Sequence, residues 1–169
     1  YTKRDQHHTS LATIFFTTQG VDSPQGVMLT HHNILSNLES LDQLFLLSSQ
    51  DCLLGTLPLH HAFGWTLTLW FPIIAGYGVV YYANPTAANM VGDIVRRYQA
   101  TLLLSTPTHC KSYVQHTPGE DFACLRYAVV GSEPLSTTLA DAFQAKFGID
   151  LLEGYGYNEM APVIAVNVP

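Results

Sequence analysis

Four short stretches of the chain hold the residue types that bind a nucleotide: glycines, hydroxyls, imidazoles and a carboxylate, each placed where an apolar run ends. The first is FFTTQGVDSPQGVM at residues 15–28. It has the outline of a phosphate-binding loop, in which backbone N–H groups between a strand and a helix hold phosphate oxygens. It also holds Asp22, and it has no lysine. Taken alone, a loop of this kind is equally compatible with an ordinary surface turn.

Two adjacent histidines, His60 and His61, form the second candidate, within LPLHHAFG at 57–64. One imidazole can lean into a pocket beyond a strand end while the other faces outward. Taken alone, a pair of capping or core histidines is the simpler interpretation. A zinc site built from the His-His pairs, His109 and Cys110 is disfavoured. Neighbouring residues point apart, and no two histidines stand four residues apart on a helix.

The third and fourth candidates are GSEPL at 131–135 and EGYGYNE at 153–159. A Gly-aromatic-Gly turn after a strand lets a planar base approach the backbone and stack on Tyr155. Glu159 follows, and it can hold Mg²⁺ through its oxygens, the ligand type that this ion prefers. Each stretch, taken alone, is no more than a glycine turn.

Alternating strand-like and helix-like segments position these loops. Short apolar or β-branched runs predict strands at 11–16, 52–58, 77–83, 101–107, 125–132, 150–157 and 162–168. Apolar residues at helical spacing predict helices at 32–47, 87–100, 108–116 and 135–148. The stretch 64–76 is apolar on all sides and is compatible with a buried helix that kinks or ends near Pro72, which periodicity cannot decide.

About five β-α repeats with long crossovers predict an α/β fold, a layered, mostly parallel sheet with helices on both faces. The run 11–16 is expected to be a buried strand that leads through its loop into a helix. Leu44 and Tyr98 are expected on apolar helix faces, and the softest linker is expected at 116–124. Ligands of such sheets bind beyond the carboxyl ends of the strands, where the loop 105–109 joins the four candidate stretches.

The amino-acid composition limits the classes of function that the chain can have. Only 12% of the residues are charged and 47% are hydrophobic, against about 25% charged in an average soluble domain, which favours a domain that packs against neighbours. A formal charge of −6 argues against nucleic-acid binding, which needs clustered Lys and Arg. Three cysteines without CxxC spacing favour a reduced, cytosolic setting. No transmembrane segment is predicted, because the most apolar run, 65–75, is shorter than the roughly 20 residues that span a bilayer.

The four stretches, in order, resemble the motifs of the adenylate-forming superfamily, which includes acyl-CoA synthetases, luciferases and the adenylation domains of peptide synthetases. FTTQGVDSPQGV is similar to the phosphate loop Y-T-S-G-S-T-G-x-P-K-G-V, and PLHHAFG to P-x-x-H-x-x-G. GSEPL is similar to the adenine loop G-G-A-P-L, and GYGYNE to G-Y-G-x-T-E. LRYAVVGSEPL and KFGIDLLEGYGYNEMAPVIAVNVP look most like the acyl-acyl carrier protein synthetase domain of 2-acylglycerophosphoethanolamine acyltransferase.

The resemblance implies a ligase that couples a fatty acid to ATP as acyl-adenylate, with Mg²⁺, and passes the acyl group to the thiol of acyl carrier protein or CoA. In that subfamily the acyl group ends on a lysophospholipid, in the cytoplasm or at the inner face of the cell membrane. His61 and Glu159 are the implied catalytic residues: His61 would border the acyl carboxylate beside Phe63 and Trp65, and Glu159 would ligate Mg²⁺. The residues implied to contact the nucleotide are Thr17, Thr18 and Gly20 at the triphosphate, Gly131, Ser132, Glu133, Gly154, Tyr155 and Gly156 at the adenine, and Asn158 at the α-phosphate.

Four departures of the phosphate loop from the family pattern bear on phosphate binding. Gln25 stands where the family has lysine, and Asp22 stands where it has glycine. Gln19 and Val21 replace a glycine and a threonine, which stiffens the loop and removes a hydroxyl. Like charges about 4 Å apart cost roughly 1 kcal/mol in water and about 4 kcal/mol at an effective dielectric near 20. The loop is therefore expected to be a nucleotide site with an impaired grip on phosphate.

Three interpretations stay open at this point. The chain is the central part of an acyl-activating enzyme, or a degenerate pseudo-synthetase that binds acyl chains or a partner without adenylation, which Gln25 and Asp22 favour. An unrelated flavodoxin-like or Rossmann domain would need a G-x-G-x-x-G after the first strand, which TTQGVDSPQG does not supply. Residues 1–169 look like one α/β segment of a larger AMP-binding domain. The family's ribose-binding aspartate and catalytic lysine would lie downstream, so this segment alone is expected to give no pyrophosphate exchange.

Overall fold

The computed structural model describes residues 7–17 and 23–168, and its strands form two sheets. β1 (Leu11–Thr17) and β2 (Gln25–Thr30) form an antiparallel hairpin. The other strands are β3 (Cys52–Gly55), β4 (Gly78–Tyr81), β5 (Leu102–Ser105), β6 (Tyr127–Val130), β7 (Leu151–Gly156) and β8 (Val163–Val166). They form one sheet in the order β4-β3-β5-β6-β7-β8, parallel throughout except that β8 runs antiparallel to β7.

Helices connect the strands of the larger sheet. Within the described residues they are α1 (His31–Asp42), α2 (Ala62–Gly64), α3 (Phe71–Ala75), α4 (Ala88–Tyr98), α5 (Pro107–His116) and α6 (Thr137–Phe147). A π-helical segment, Trp65–Trp70, joins α2 to α3, and short 3₁₀ turns lie at Gly119–Phe122 and Asn158–Met160. The predicted end of the last helix is confirmed, because Gly148 follows α6 with a φ of 76° that a residue without a Cβ adopts freely.

Alternating residues of the central strands face two separate cores, because successive side chains of a strand point to opposite faces. Leu53 and Leu104 pack on one face with α1 and the helical run between β3 and β4. Leu54 and Leu103 pack on the other face with α4, α5 and α6. The predicted α/β fold, a mostly parallel sheet with helices on both faces, is therefore confirmed.

The first predicted strand forms, but the prediction that it is buried and leads through its loop into a helix was wrong. The run forms β1, but β1 belongs to the hairpin and not to the parallel sheet, and of its seven residues only Phe15 is buried. The loop after it leads into β2 and not directly into a helix. Thr30 ends β2 and caps α1: its hydroxyl accepts the N–H of Asn33 (3.2 Å), while its own N–H donates to the Asn33 side chain (2.9 Å). The hairpin therefore joins α1 without a linker.

Three other expectations were also wrong. Leu44 lies beyond the end of α1 and is exposed, and Tyr98, at the end of α4, is 51% exposed. Both residues continue the helical spacing of the apolar residues before them, but they lie where the chain has already left the core. The stretch 116–124 is not a soft linker, because Phe122 in its 3₁₀ turn is fully buried against α5 and α6. The stretch 64–76 is helical, as one interpretation had it, although Ile73 and Ile74 are exposed.

The strand order predicts a crevice at the carboxyl-terminal edge of the sheet. β3 lies between β4 and β5, so the chain reverses its direction along the sheet after β4. The crossover from β3 to β4 packs on one face, and the crossover from β4 to β5 packs on the other. Ligands of open parallel sheets bind at such a reversal. The loops after β3, β5, β6 and β7 all leave the sheet at this edge because these strands are parallel.

Candidate functional site

Three of the four candidate loops touch at Gly131, which directly follows β6. A Cβ built on Gly131 would lie 3.3 Å from the carbonyl oxygen of Gly154 in β7 and 3.3 Å from the ring of Phe63 in α2. The Gly131 N–H also donates to the carbonyl oxygen of Ser105 at the end of β5 (3.2 Å). A larger side chain at this position would separate the loops. The loop after β3, the loop after β6 and the end of β7 are therefore packed against one another.

The histidine pair lies on the rim of this contact. His61 is the residue before α2, two positions from Phe63, and its side chain makes no capping hydrogen bond. The rings of His60 and His61 are 4.4 Å apart, and both residues are exposed. Neither ring is a core or capping histidine, so the simpler interpretation of this pair was wrong. Both imidazoles face solvent next to the crevice.

The loop 131–135 is tied to the elements on either side of it. The Glu133 carboxylate accepts hydrogen bonds from the hydroxyl (2.6 Å) and the N–H (3.2 Å) of Thr108 in the first turn of α5. On the other side, the N–H of Leu135 donates to Glu153 in β7 (2.9 Å). Ser132, between these anchors, has a φ of 71°, a left-handed conformation that a non-glycine residue adopts only under strain. The loop is held in one conformation.

His109 lies in α5 close to this loop, and its Nδ1 is 3.2 Å from the Thr106 hydroxyl. Burial lowers the pKa of the His109 imidazole, and the nearby Glu133 carboxylate opposes part of that shift. Thr108 and His109 were not among the predicted site residues, although both fall in the loop 105–109 that the strand pattern marked. The signal that could have indicated these two residues is the motif TPTH, in which a threonine is followed by proline at a helix start.

Tyr155 and Tyr157 stand at the end of β7, and more than half of each side chain is exposed, 56% and 54%. The Tyr155 hydroxyl donates to the Tyr157 hydroxyl (2.9 Å), and the two rings meet edge-on. Gly154, which touches the Gly131 loop, is the neighbour of Tyr155. The side chain of Tyr155 is therefore available to a ligand directly beside the contact of the three loops.

Glu159 lies in the 3₁₀ turn that follows, with an exposed carboxylate, and Asn158 beside it is half-buried. This turn packs against β2 of the hairpin. It is also tied to α1, because the side-chain amide of Asn37 donates to the carbonyl of Met160 in the turn (3.4 Å) and to that of Val163 at the start of β8 (2.7 Å). A cavity of about 410 Å³ lies between α1 and the turn, with Glu159 in its wall. The turn and the hairpin therefore lie on the same side of the molecule.

The phosphate loop is described only at its two ends. Thr17 and Gln25 face each other as the last cross-strand pair of the hairpin, Thr17 half-buried and Gln25 exposed. Thr18 and Gly20, which the resemblance places at the triphosphate, and the three positions that depart from the family within this loop lie outside the described residues. Those three positions are Gln19, Val21 and Asp22.

The donor set fits a Mg²⁺ ion held together with a phosphate, and it does not fit a metal held by protein alone. In residues 7–17 and 23–168, no three His, Cys, Asp or Glu side chains come together in a way that could bind a metal ion. Mg²⁺ in nucleotide sites is usually bound by one or two carboxylates and by the phosphates of the substrate. The single exposed carboxylate of Glu159 satisfies that requirement.

The family profile described as AMP-binding enzyme matches residues 2–169, and the chain belongs to this family. It is 28% identical over 172 residues to a long-chain-fatty-acid–CoA ligase of Yersinia pestis, covering 99% of this chain and 31% of that protein. It is 30% identical over 150 residues to a sulfoacetate–CoA ligase of Cupriavidus necator, covering 89% and 29%. These relatives are acid–thiol ligases by name.

Solved structures carry the same fold. Apo MatB from Rhodopseudomonas palustris superposes with a TM-score of 0.89 at 26% identity, covering 100% of this chain and 33% of that chain. The ATP-bound form of that protein gives a TM-score of 0.87 at 26% identity, covering 98% and 32%. The chain thus spans about a third of the length of the proteins that it matches. Among the described residues, no helix combines the length and the apolar character needed to cross a membrane.

Proposed function

We propose that this chain forms the nucleotide-binding centre of a ligase that joins a fatty acid to ATP as an acyl-adenylate and then transfers the acyl group to a thiol. The contact of Phe63, Gly131 and Gly154 is the observation that carries the proposal. Three loops whose motifs resemble the family's substrate and adenine motifs meet there at the carboxyl edge of the sheet, which is where parallel sheets bind ligands. Its family membership and the ATP-bound relative support the same assignment.

The adenine would lie between the loop 131–135 and Tyr155. Because the Glu133 carboxylate is bonded to Thr108, the loop would offer its backbone at Gly131 and Ser132, and not that carboxylate, to the base. Tyr155 would stack on the ring, and Gly154 and Gly156 let the base approach the strand closely. The exposed face of a tyrosine is well suited to stacking with a planar heterocycle.

The reacting groups would lie further along the same edge. Asn158 would contact the α-phosphate, and Glu159 would hold Mg²⁺, which when bound neutralises phosphate charge. His61 would border the acyl carboxylate, with Phe63 and Trp65 providing apolar walls. Thr17, with Thr18 and Gly20, would contact the triphosphate. In such a site the protein would act mainly by placing the carboxylate next to the α-phosphate and by stabilising charge.

The phosphate side of this site is expected to bind weakly. Gln25 is exposed at the mouth of the loop, where the family has a lysine. Because exposed charges interact through water, the missing attraction amounts to about 1 kcal/mol, or roughly fivefold in affinity. Asp22 would add a repulsion of similar size. ATP binding is therefore proposed to depend more on the base than on the triphosphate.

A pseudo-synthetase is the second candidate function, and the exposed Gln25 at the loop mouth is the observation that favours it. In that case the fold would bind an acyl chain or a partner and would not adenylate. Isothermal titration of the complete protein that contains this chain with ATP and Mg²⁺ separates the two. Binding in the micromolar range supports the ligase, and binding that is undetectable at millimolar ATP supports the pseudo-synthetase.

A matched pair of variants locates the bound nucleotide. Tyr155→Ala is expected to weaken ATP binding about tenfold, because stacking on an aromatic ring contributes roughly 1–3 kcal/mol per base. Tyr98→Ala removes an equally exposed tyrosine at the other edge of the sheet and should leave the Kd unchanged. Equal effects of the two substitutions, or no effect of either, would overturn the placement of the adenine.

The finer assignment concerns the thiol and the final acceptor. We propose acyl carrier protein as the thiol partner and a lysophospholipid as the final acceptor, in the cytoplasm or at the inner face of the cell membrane. The resemblance of 125–135 and 146–169 to the acyl-acyl carrier protein synthetase domain of an acyltransferase supports this. Fatty acid, ATP and either acyl carrier protein or CoA, given to the complete protein, test the proposal. Faster product formation on CoA would contradict it.

A further inference from the structure

The feature that carries a further inference is Tyr157, the variable position of the motif G-Y-G-x-T-E, which here reads GYGYNE. Its hydroxyl accepts a hydrogen bond from the Tyr155 hydroxyl (2.9 Å). The two ring centroids are 5.3 Å apart, with an angle of 82° between the ring planes. The pair stands at the candidate base-binding position.

The backbone around Tyr157 is fixed. Its N–H donates to the carbonyl oxygen of Pro162 (2.9 Å), and its own carbonyl accepts the N–H of Met160 (3.0 Å) in the turn that carries Glu159. Gly156, between the two tyrosines, lies so close to the Pro162 carbonyl that any Cβ there would overlap with it. Residues two apart on an extended chain project to the same side, so Tyr157 is an anchored neighbour of Tyr155.

We propose that Tyr157 is a positioning residue whose hydroxyl holds the ring of Tyr155 in the orientation that stacks on the base of an adenine nucleotide. The inference rests on the proposed function and extends it to a residue outside the nucleotide contacts assigned above. More than half of the Tyr155 side chain is exposed, and an exposed tyrosine samples several rotamers. A fixed ring loses less conformational entropy when the base stacks on it, and this preorganisation raises affinity.

The protonation state of the pair is consistent with this arrangement. The hydrogen bond to Tyr157 raises the pKa of Tyr155, because the bond stabilises the neutral donor. Tyr155 therefore remains a neutral donor across the physiological range. The bond between the hydroxyls is independent of any bound phosphate, so its contribution should be confined to ligands that carry a base.

The test uses Tyr157→Phe, which keeps the ring and removes the hydroxyl. A typical intramolecular hydrogen bond corresponds to about a three- to tenfold effect on an equilibrium. The Kd for ATP with Mg²⁺ is expected to rise about threefold to tenfold in isothermal titration. The Kd for inorganic tripolyphosphate with Mg²⁺ should not change. Tyr98→Phe, at the opposite edge of the sheet, is the matched control and should change neither value.

A second measurement reports on the hydrogen bond between the Tyr155 and Tyr157 hydroxyls. With [¹³Cζ]tyrosine, the NMR titration of Tyr155 should move to a lower pKa in Tyr157→Phe, since the variant removes the partner that stabilises the neutral form. A purely structural contribution of Tyr157 would alter unfolding without this shift.

The outcomes separate the two proposals. If the wild type binds ATP and Tyr157→Phe binds it equally well, the positioning role is wrong and the proposed function stands. If Tyr157→Phe weakens tripolyphosphate and ATP alike, the hydroxyl acts on the phosphate side and the inference is also wrong. If the wild type binds no ATP, both proposals fail.

Discussion

The two edges of the parallel sheet are built in different ways. At the amino-terminal edge, Asp51, Thr101 and Arg126 precede three adjacent strands, β3, β5 and β6, and bond to one another. At the carboxyl-terminal edge, the loops after the same strands contact one another at Gly131, which has no side chain. Tyr155 is exposed at this edge. The polar groups of the amino-terminal edge are hydrogen-bonded to one another, whereas the carboxyl-terminal edge has exposed groups that a ligand could contact.

The amino-terminal edge is a charged network around a side chain that is 1% exposed. The Asp51 carboxylate accepts hydrogen bonds from the Thr101 hydroxyl (2.8 Å), the Arg126 guanidinium (2.6 Å) and the N–H of Ser48 (2.8 Å). A buried carboxylate is tolerated only when it is paired in this way. This network therefore stabilises one end of the strands while the proposed ligand site lies at the other end, so substitutions should separate stability from binding.

The largest expected effect is on stability. Asp51→Ala should lower the free energy of unfolding by about 3 kcal/mol, since removing one partner of a buried ion pair leaves the other groups unsatisfied. Urea unfolding at pH 7 measures this. The control is Asp93→Ala, which removes an exposed partner of Arg96 and should cost less than about 1 kcal/mol. The Kd for ATP should be unchanged in both variants, and a weakened Kd in Asp51→Ala would break the separation of the two edges.

The same network predicts a pH dependence. Burial raises the pKa of Asp51, but the bonds from Thr101, Ser48 and Arg126 outweigh it and hold the pKa below its ordinary value. A lowered pKa means that the contribution is complete above the unfolded value, about 3.9, and is lost as the pH falls through the folded value. The stability difference between wild type and Asp51→Asn in urea should therefore be constant from pH 7 to about 5 and shrink below about 4. A difference that grows on acidification would contradict the assignment.

A smaller effect is expected on the phosphate side of the carboxyl edge. Gln25→Lys restores the family's cation and should tighten ATP binding about fivefold, which corresponds to roughly 1 kcal/mol for an exposed charge. The gain should fall at high salt because exposed charges are screened. Gln50→Lys, exposed near the amino-terminal edge, adds the same charge and is the control. Equal gains from both lysines would mean that net charge, and not the loop, determines affinity.

The smallest effect is expected at the loop 131–135. Glu133→Ala removes the acceptor of two hydrogen bonds from Thr108, and because the carboxylate is exposed the loss of stability should be below about 1 kcal/mol. ATP binding should weaken about twofold as the loop loses its anchor on α5. The pKa of His109, which the Glu133 carboxylate raises, should fall further in an NMR titration. Glu120→Ala, an exposed carboxylate in another turn, should change none of these values.

The central layers were predictable from the sequence because both faces of a parallel sheet are covered. Runs such as LLL at 102–104 in β5 are apolar throughout and therefore typical of strands with two buried faces. The hairpin was not predictable in the same way. β2 is mostly exposed, and no hydrophobic periodicity encodes the register of its pairing with β1. The π-helical segment at Trp65–Trp70 likewise depends on packing and not on spacing.

The order of the site motifs along the chain was predictable from the sequence, but the contacts between their residues were not. The sequence placed Tyr155 and Gly131 in loops beyond parallel strands, and the structure brings those loops together. It did not indicate that Glu133 would bond to Thr108, because that pairing joins residues 25 positions apart through the sheet. The pair His60 and His61 was predicted as a candidate, but the exposure of both rings was not, since adjacency alone does not tell whether two rings face solvent.

Ser132 shows a cost that the fold carries at the carboxyl-terminal edge. Its φ of 71° keeps a serine in a left-handed conformation that costs roughly 1–2 kcal/mol, at a corner where the family pattern has a glycine. A protein can retain such a conformation when other parts of the fold hold the surrounding backbone firmly. The bonds on either side of Ser132, from Thr108 to Glu133 and from Leu135 to Glu153, hold it in this way. A chain that lost one of these anchors would release the strain, so the residues at 108, 132, 133 and 153 are expected to constrain one another during evolution.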